Sequence, residues 1–182
     1  MTAPITYRLM DSSELDRLGE IDRTERIDSI YIQNGEALVE SFQKFDVPPW
    51  LPTGSHPHTV PVQIDFLKQH VTQGASIFGA FAAERLVGIG LVLPHIRPSI
   101  AQLTFLHISH DYRGRGAGRR LVAALERVAR EAGDTQMVVS ATPTVRTVQF
   151  YMSCGYAPMA EPLPELFAEE PEDIHLSKRL GE

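Results

Sequence analysis

The sequence has one cysteine and no long apolar run, and each of these features excludes a class of structure. With Cys154 alone among 182 residues, an intramolecular disulfide and a cysteine-based metal cluster are excluded. No apolar stretch approaches the roughly 18 residues that a membrane-spanning helix needs. No basic segment followed by an apolar run opens the chain, so we predict no signal peptide. These features predict a cytoplasmic protein with no membrane partner.

Basic residues are fewer than acidic residues in this chain. The chain has 17 lysines and arginines against 23 aspartates and glutamates, which gives a net charge of −6 and a pI near 5.6. Non-specific nucleic-acid binding depends on an extended basic surface, so we expect no nucleic-acid partner. An acidic surface suits a cationic partner such as an amine. The length is enough for one complete core, so residues 1–182 are predicted to form a single domain.

Apolar periodicity predicts helices alternating with strands. Residues 24–44 follow a helical pattern, with Ile27, Ile30 and Tyr31 at i, i+3 and i+4. Residues 46–59 contain four prolines and are predicted to be an irregular loop. The other predicted elements are strands at 5–10, 76–82, 86–93, 101–109, 137–140 and in the last IHLSKRL segment, and helices at 11–21, 60–72, 121–132 and 143–153. Because 76–82 and 86–93 are spaced as an antiparallel hairpin, we expect a mixed α/β protein whose sheet is not all parallel.

The ten residues DYRGRGAGRR, Asp111 to Arg120, follow a predicted strand and open a predicted helix. They contain neither G-x-x-x-x-G-K-[ST] nor G-x-G-x-x-G, which excludes the two commonest phosphate motifs. A glycine-rich turn at a helix N-terminus still presents free backbone N–H groups and the positive end of the helix dipole. Arg119 and Arg120 are unfavourable in a first helical turn unless an anion binds there. An anion site and a solvated turn therefore both remain open.

Two segments resemble one known family. Residues 113–118, RGRGAG, match the R/Q-x-x-G-x-G/A motif of the GNAT superfamily of N-acetyltransferases, and TVRTVQFYMSCGY, residues 144–156, resembles its later Phe-Tyr helix. The resemblance implies a mixed, mostly antiparallel central sheet flanked by helices. It also implies an enzyme that uses acetyl-CoA and no metal to acetylate a primary amine by direct attack. A non-catalytic acyl-CoA-binding module is the alternative.

The resemblance implies a role for several groups of residues. The pyrophosphate of coenzyme A would be held by the backbone of Arg113, Gly114, Arg115, Gly116, Ala117 and Gly118. The pantetheine arm would pair with the strand at Leu106, His107 and Ile108, and would contact Thr144 and Phe150. Tyr151 would protonate the leaving thiolate, or only pack against the pantetheine. Arg119 is a further candidate for phosphate contact because of the dipole argument above.

The acceptor side departs from the family pattern. Gln102 and Thr104 stand where many members carry a carboxylate or histidine, and neither can accept a proton from an ammonium ion. With Glu25, Tyr31 and Trp50 they are predicted to line the acceptor pocket. The base is left open between four side chains and a water chain to solvent; the side chains are His107, Glu25, Asp28 and His95. Strand alternation places His107 on the face opposite Gln102 and Thr104 unless a bulge intervenes.

The identity of the acceptor is not encoded in these motifs. A small-molecule amine and a peptide amine are both compatible with them, and dimers are common in the family although no segment here marks an interface. His56 and His58 form an H-x-H pair without a third ligand, so no metal site is predicted. Cys154 has no histidine–acid relay beside it in the sequence, so we do not expect a covalent nucleophile.

Overall fold

A computed structural model describes residues 4–181. Its nine strands are β1 (Ile5–Leu9), β2 (Glu25–Asn34), β3 (Ala37–Val47), β4 (Ser76–Ala82), β5 (Arg85–Arg97), β6 (Ile100–Ile108), β7 (Gln136–Ala141), β8 (Ala157–Pro158) and β9 (Ile174–Arg179). Its four α-helices are α1 (Val60–Thr72), α2 (Ala117–Ala132), α3 (Val145–Ser153) and α4 (Pro164–Glu169). Two 3₁₀ helices, Ser12–Glu20 and His110–Tyr112, complete these elements. None of the helices in this part of the chain is long and apolar enough to cross a membrane.

Seven strands form one sheet in the order β1-β4-β5-β6-β7-β9-β8, and β2 and β3 form a separate hairpin. Every neighbouring pair in the large sheet is antiparallel except β6 and β7. The predicted mixed, mostly antiparallel sheet flanked by helices is therefore confirmed. The predicted helix at 60–72 and the β4–β5 hairpin are confirmed as well.

Each face of the sheet has its own apolar core. α2 and α3 cover one face, where Leu121, Leu125 and Val148 join buried residues of β6, β7 and β9. The first 3₁₀ helix and α1 cover the other face through residues such as Leu15 and Leu67. Two glycines of β5 allow α2 to pack closely. A Cβ at Gly88 would lie 3.3 Å from Leu121 of α2, and one at Gly90 would lie 2.8 Å from Leu125.

The prediction of a helix over residues 24–44 is wrong. This segment forms the β2–β3 hairpin, in which Asn34 pairs with Ala37 across a turn that begins with Gly35 at φ +59°. Asn-Gly is a strong hairpin signal, and the segment is rich in β-branched and aromatic residues. The i, i+3, i+4 spacing of Ile27, Ile30 and Tyr31 is coincidental, because only Ile27 of the three becomes fully buried. Tertiary pairing outweighs a short helical pattern.

The predicted position of His107 on the face opposite Gln102 is also wrong. Leu91 pairs with Phe105 and Val92 pairs with Leu103, so Thr104 is an extra residue in β6 and forms a bulge. Leu103 belongs to the core under α2, whereas Phe105 belongs to the core under α1. The bulge reverses the alternation, so His107 lies on the same face as Gln102.

Smaller differences concern the ends of the chain. The predicted helix at 11–21 is a 3₁₀ helix over Ser12–Glu20, with Asp11 as its N-cap and Glu14 completing a capping box. The two-residue strand β8 and the short helix α4 were not predicted. α4 begins at Pro164, where the fixed φ of proline suits the first turn of a helix.

Candidate functional site

A gap opens between β6 and β7, the two central strands. Their pairing is limited to Ile100–Gln136, Ala101–Met137 and Gln102–Val138, although β6 continues to Ile108 and β7 to Ala141. The N–H of Ser109 donates to the carbonyl of Val87 at 2.8 Å. The backbone groups of Ser109 therefore point towards β5, and this bond fixes the direction of the backbone groups before it in β6. By antiparallel alternation, those of His107 also point to β5, and those of Leu106 and Ile108 point into the gap. Of the three predicted residues, Leu106 and Ile108 therefore have N–H groups directed into the gap.

The turn after β6 presents a row of free donors. Within residues 4–181, the N–H groups of the six residues from Gly114 to Arg119 donate to no other group of the protein. Gly114 and Gly116 have φ of +72° and +82°, the left-handed region that favours glycine, and Gly116 is the N-cap of α2. A Cβ at either glycine would have no described atom within 4 Å, so the space beside the turn is open. These donors and the helix dipole can hold an anion.

Contacts between α2 and α3 keep the turn in place. A Cβ at Gly118 would lie 3.0 Å from a ring carbon of Phe150, so the glycine allows the two helices to approach. The guanidinium of Arg119 donates to the carbonyl and the hydroxyl of Ser153, at 2.8 and 3.0 Å. Arg119 thus joins the beginning of α2 to the end of α3, with its side chain directed along the protein surface.

Arg113, the first residue of the motif, points inward. Its N–H donates to the carbonyl of His110 at 3.2 Å, so this N–H does not belong to the row of free donors. Its guanidinium donates to the carbonyls of Ile108, Arg23 and Thr24, and lies 3.2 Å from the carboxylate of Glu25. The side chain joins the end of β6 to the connection that leads into β2.

α3 carries Tyr151 into the core on the face of the sheet that α2 and α3 cover. Thr144 is the N-cap of α3; its hydroxyl accepts from the N–H of Thr147 and donates to the Thr147 hydroxyl at 2.8 Å. The Tyr151 ring is only 5% exposed and lies edge-on to Phe150 and Tyr156. Among residues 4–181 the Tyr151 hydroxyl has no hydrogen-bond partner. Burial, followed by the nearby charges of Cys154 and Asp173, raises the pKa of Tyr151 well above its ordinary value.

The β2–β3 hairpin lies across the end of β7 and forms a cleft with α3. The N–H of Tyr31 donates to the carbonyl of Pro143 at 2.7 Å, and Gln149 donates to the Tyr31 hydroxyl at 3.3 Å. Glu25 lies within the cleft, where its carboxylate is 3.7 Å from Nε of Arg146. The cleft has a volume of about 270 Å³ and is lined by Glu25, Arg26, Ile27, Asp28, Ser29, Thr144, Val145, Arg146 and Gln149.

An aromatic group on the α1 side of β6 surrounds His107. The His107 ring lies 5.2 Å from Trp50 and 4.6 Å from Phe105, and Arg23 stacks on Trp50 at 4.4 Å. Burial and the positive charges of Arg23 and Arg113 lower the pKa of His107 to about 3. Its imidazole is therefore neutral at physiological pH. The indole Nε1 of Trp50 is buried and, among the described residues, has no hydrogen-bond partner.

The remaining predicted residues are spread more widely. Gln102 is the last residue of β6 that pairs with β7, and Thr104 forms the bulge, with its hydroxyl 3.4 Å from the Leu91 carbonyl. His95 lies 2.9 Å from a carboxylate oxygen of Asp134, at the opposite end of β7 from the gap. The rings of His56 and His58 are 5.1 Å apart, and no three potential metal ligands converge within residues 4–181.

Three residues near the site were missed from the sequence. Arg23 stacks on Trp50, Gln33 bridges the hairpin to the carbonyls of Met159 and His175, and Asp173 lies close enough to Tyr151 to affect its pKa. Arg23 precedes a segment whose apolar spacing predicts a helix, and Asp173 lies in an acidic segment that carries no family motif. The Asn-Gly turn was a signal for a hairpin, and it could have predicted that Tyr31–Gln33 form a strand and that Gln33 is therefore not on a helix.

The sequence model of the acetyltransferase (GNAT) family matches residues 36–156, which include the turn, the gap and α3. The chain belongs to this family of acetyl-CoA-dependent acyltransferases. No curated protein sequence matches the chain.

Solved structures share the fold over the whole chain. Nourseothricin acetyltransferase has a TM-score of 0.73 at 15% identity, with 97% of this chain and 99% of that chain covered. A putative streptothricin acetyltransferase from Bacillus anthracis str. Ames, in complex with acetyl coenzyme A, has a TM-score of 0.73 at 14% identity, with 98% and 99% covered. PaiA N-acetyltransferase from Thermoplasma acidophilum, in complex with coenzyme A, has a TM-score of 0.62 at 15% identity, with 97% and 99% covered.

The residues of the site fit coenzyme A chemically. A diphosphate needs several backbone donors and room to approach them, and the turn from Gly114 to Arg119 provides both. An extended amide-containing arm needs free donors on a strand edge, which the gap provides in the N–H groups of Leu106 and Ile108. The two features follow one another along the chain, as one elongated ligand requires.

Proposed function

We propose that the protein transfers an acetyl group from acetyl-CoA to a primary amine by direct attack, with both substrates bound together. The observation that carries the proposal is the row of free N–H donors from Gly114 to Arg119, next to the unpaired edge of β6. The same site includes the buried phenol of Tyr151, which has no hydrogen-bond partner among the described residues. This sequence of an anion site, a strand edge and a proton donor suits an acyl thioester. We further propose that residues 1–182 act as one catalytic domain.

Each group has a role in this proposal. The N–H groups from Gly114 to Arg119 bind the pyrophosphate, and those of Leu106 and Ile108 bind the pantetheine arm or the acetyl carbonyl oxygen. Acetyl-CoA supplies the acetyl group, activated as a thioester. Tyr151 donates a proton to the leaving sulfur, and its raised pKa keeps the phenol protonated at neutral pH. Arg113 joins the end of β6 to the connection that leads into β2, through the carbonyls to which it donates.

The proposed acceptor is a small cationic amine. The chain is acidic overall, and Glu169, Glu170, Glu172 and Asp173 follow one another closely before β9. An acidic surface favours a cationic acceptor over a neutral or acidic one. Two of the structures with the same fold are named as acetyltransferases of nourseothricin and streptothricin, so both compounds belong among the amines to be tested.

The experiment that tests the proposal begins with binding. Acetyl-CoA, CoA lacking its 3′-phosphate, and ATP are titrated separately while the melting temperature is followed. A ligand at about a hundred times its Kd stabilises a folded protein by about 2.7 kcal/mol, so acetyl-CoA should give a shift of several degrees and ATP should not. Thiol release is then measured with polyamines, nourseothricin, streptothricin, amino acids and a short peptide. A folded protein that acetyl-CoA does not stabilise would contradict the proposal.

A further inference from the structure

The arginine that stacks on Trp50 has no anionic partner. Within residues 4–181, the Arg23 guanidinium forms neither a hydrogen bond nor an ion pair. Of the arginines in this part of the chain that form no ion pair, Arg23 is the only one that is not exposed. Solvent still reaches its nitrogens, because Trp50 Nε1 is the one fully buried donor without a partner in these residues. Arg23 is therefore a half-buried but accessible cation, and such a charge is normally paired.

Bonds to the end of β6 hold the backbone of Arg23 beside the gap. The N–H of His110 donates to the carbonyl of Asp22 at 2.8 Å. Arg113 donates to the carbonyls of Ile108 and Arg23, at 2.9 and 3.2 Å. Ile108 is one of the two residues of β6 whose N–H groups point into the gap. Arg23 therefore stands at the end of β6 where the proposed thioester binds.

The Arg23 side chain lies among aromatic rings on the α1 side of this strand. Its guanidinium carbon is 4.4 Å from the centre of the Trp50 ring, and that ring lies 5.2 Å from the His107 ring. Phe105 lies 4.6 Å from His107. These contacts place a cation and three aromatic rings on the face of β6 that also carries Gln102, a residue predicted to line the acceptor pocket.

No acidic side chain offsets the charge of Arg23. Burial lowers the pKa of Arg23, and no neighbouring carboxylate opposes the shift. A guanidinium nevertheless stays protonated in a protein. Burial first, and then the charge of Arg23, lower the pKa values of both His58 and His107. The groups around Arg23 are thus neutral or basic, so the charge that would complete this site is negative.

The chemistry of the site favours one carboxylate. A guanidinium is planar, and its paired N–H donors match the two oxygens of a carboxylate. A pyrophosphate has its own row of donors from Gly114 to Arg119 and does not need Arg23. The acidic surface of the chain still favours a ligand that is cationic overall. A dibasic amino acid meets both conditions, because it carries one carboxylate and remains cationic.

We propose that Arg23 binds the carboxylate of the acceptor, and that the acceptor is a dibasic amino acid. This assignment rests on the proposed acetyl transfer. The carboxylate pairs with the guanidinium, which its stacking on Trp50 holds in place, and one amine of the same molecule reaches the thioester in the gap. Arg23 is thereby a specificity-determining residue that selects an acid-bearing amine over a simple polyamine.

The test compares amines that differ at the carboxylate. Thiol release from acetyl-CoA is measured with lysine, lysinamide and cadaverine, and kcat/KM for lysine should exceed each of the other two by about tenfold or more. In Arg23→Gln, kcat/KM for lysine should fall by about tenfold through KM, whereas the values for lysinamide and cadaverine should stay within about twofold. Arg179→Gln, which changes an exposed arginine of β9 that forms no ion pair, is the matched control and should keep the wild-type preference.

Four results of this comparison would overturn the proposal. The first is equal use of lysine and lysinamide by the wild type, and the second is an equal loss on both in Arg23→Gln. The third is a weaker affinity of Arg23→Gln for acetyl-CoA, since Arg23 would then be a contact of coenzyme A. The fourth is Arg23-dependent transfer that is faster from succinyl-CoA than from acetyl-CoA, which would assign the carboxylate to the acyl donor. The melting temperature of Arg23→Gln should match wild type, because the guanidinium forms no bond within residues 4–181.

A binding measurement separates this proposal from acetyl transfer. Lysine and cadaverine are titrated by calorimetry into protein saturated with CoA, from which no acetyl group can be transferred. Wild type should bind lysine more tightly than cadaverine, and Arg23→Gln should lose the difference. Such binding without thiol release to any amine would contradict acetyl transfer and support the carboxylate site. Thiol release to cadaverine, with no binding or use of lysine, would support acetyl transfer and overturn the carboxylate site.

Discussion

Arg113 Nη1 lies 3.2 Å from the carboxylate of Glu25, and both side chains are largely shielded from solvent. The pair connects the first residue of the glycine-rich motif to the first residue of β2. Since the same guanidinium also bonds the carbonyls of Ile108, Arg23 and Thr24, one side chain holds the end of β6 against the hairpin. The arginine of the motif is therefore a structural anchor for the site.

Replacing Arg113 by alanine should destabilise the fold. The change leaves Glu25 without its nearer partner and three carbonyls without a donor, so we expect a loss of about 3 kcal/mol in the free energy of unfolding, measured by urea denaturation. Arg127→Ala, on the exposed face of α2 with a 3.8 Å pair to Glu131, is the matched control and should cost under about 1 kcal/mol. Equal losses in the two variants would contradict the anchor.

Replacing Gly116 by valine should abolish acetyl-CoA binding. A side chain at φ +82° is strained by about 1–2 kcal/mol, and it would also fill the open space through which a ligand reaches the donors. Gly74→Val is the control, because Gly74 has φ +101° and a Cβ there also meets no atom within 4 Å. Calorimetry should show binding to Gly74→Val and none to Gly116→Val. Intact binding by both variants would contradict the role of the turn.

Replacing Tyr151 by phenylalanine should lower kcat by about a hundredfold while the affinity for acetyl-CoA stays nearly unchanged. The change removes only the phenolic proton from the site. Tyr156→Phe is the matched control, since it removes another buried phenol, which bonds the sulfur of Met137 at 3.0 Å. Its kcat should remain near wild type when thiol release is measured. Comparable kcat values for the two variants would exclude Tyr151 as the acid.

His107 should make the fold sensitive to acid. Its pKa is about 3 in the folded state, against about 6.5 for a histidine in an unfolded chain, so the unfolded state binds more protons between these values. The contribution of His107 to stability is therefore complete above about pH 6.5 and falls as the pH decreases towards 3. His107→Gln should reduce the drop in melting temperature between pH 7 and pH 5, and His70→Gln on α1 should not. Equal drops in wild type and His107→Gln would contradict this assignment.

Local signals were enough to predict much of the fold. α1 was predicted with its observed bounds, and the structure shows Thr59 as its N-cap and Pro61 in its first turn. The β4–β5 hairpin was predicted because two apolar runs are separated by three residues. The segment that forms β2 and β3 was misjudged because a few apolar residues fitted a helical period, whereas hairpin pairing and contact with Pro143 decided the outcome.

What the sequence determined by itself was the position of the glycine-rich turn and its order between a strand and a helix. Glycine is required at Gly114 and Gly116 by backbone geometry, which is a local property. Only the tertiary structure decided the surroundings of the Arg113 and Tyr151 side chains. Their environments depend on a bulge, a strand separation and a distant hairpin, because long-range packing sets burial and charge at each side chain.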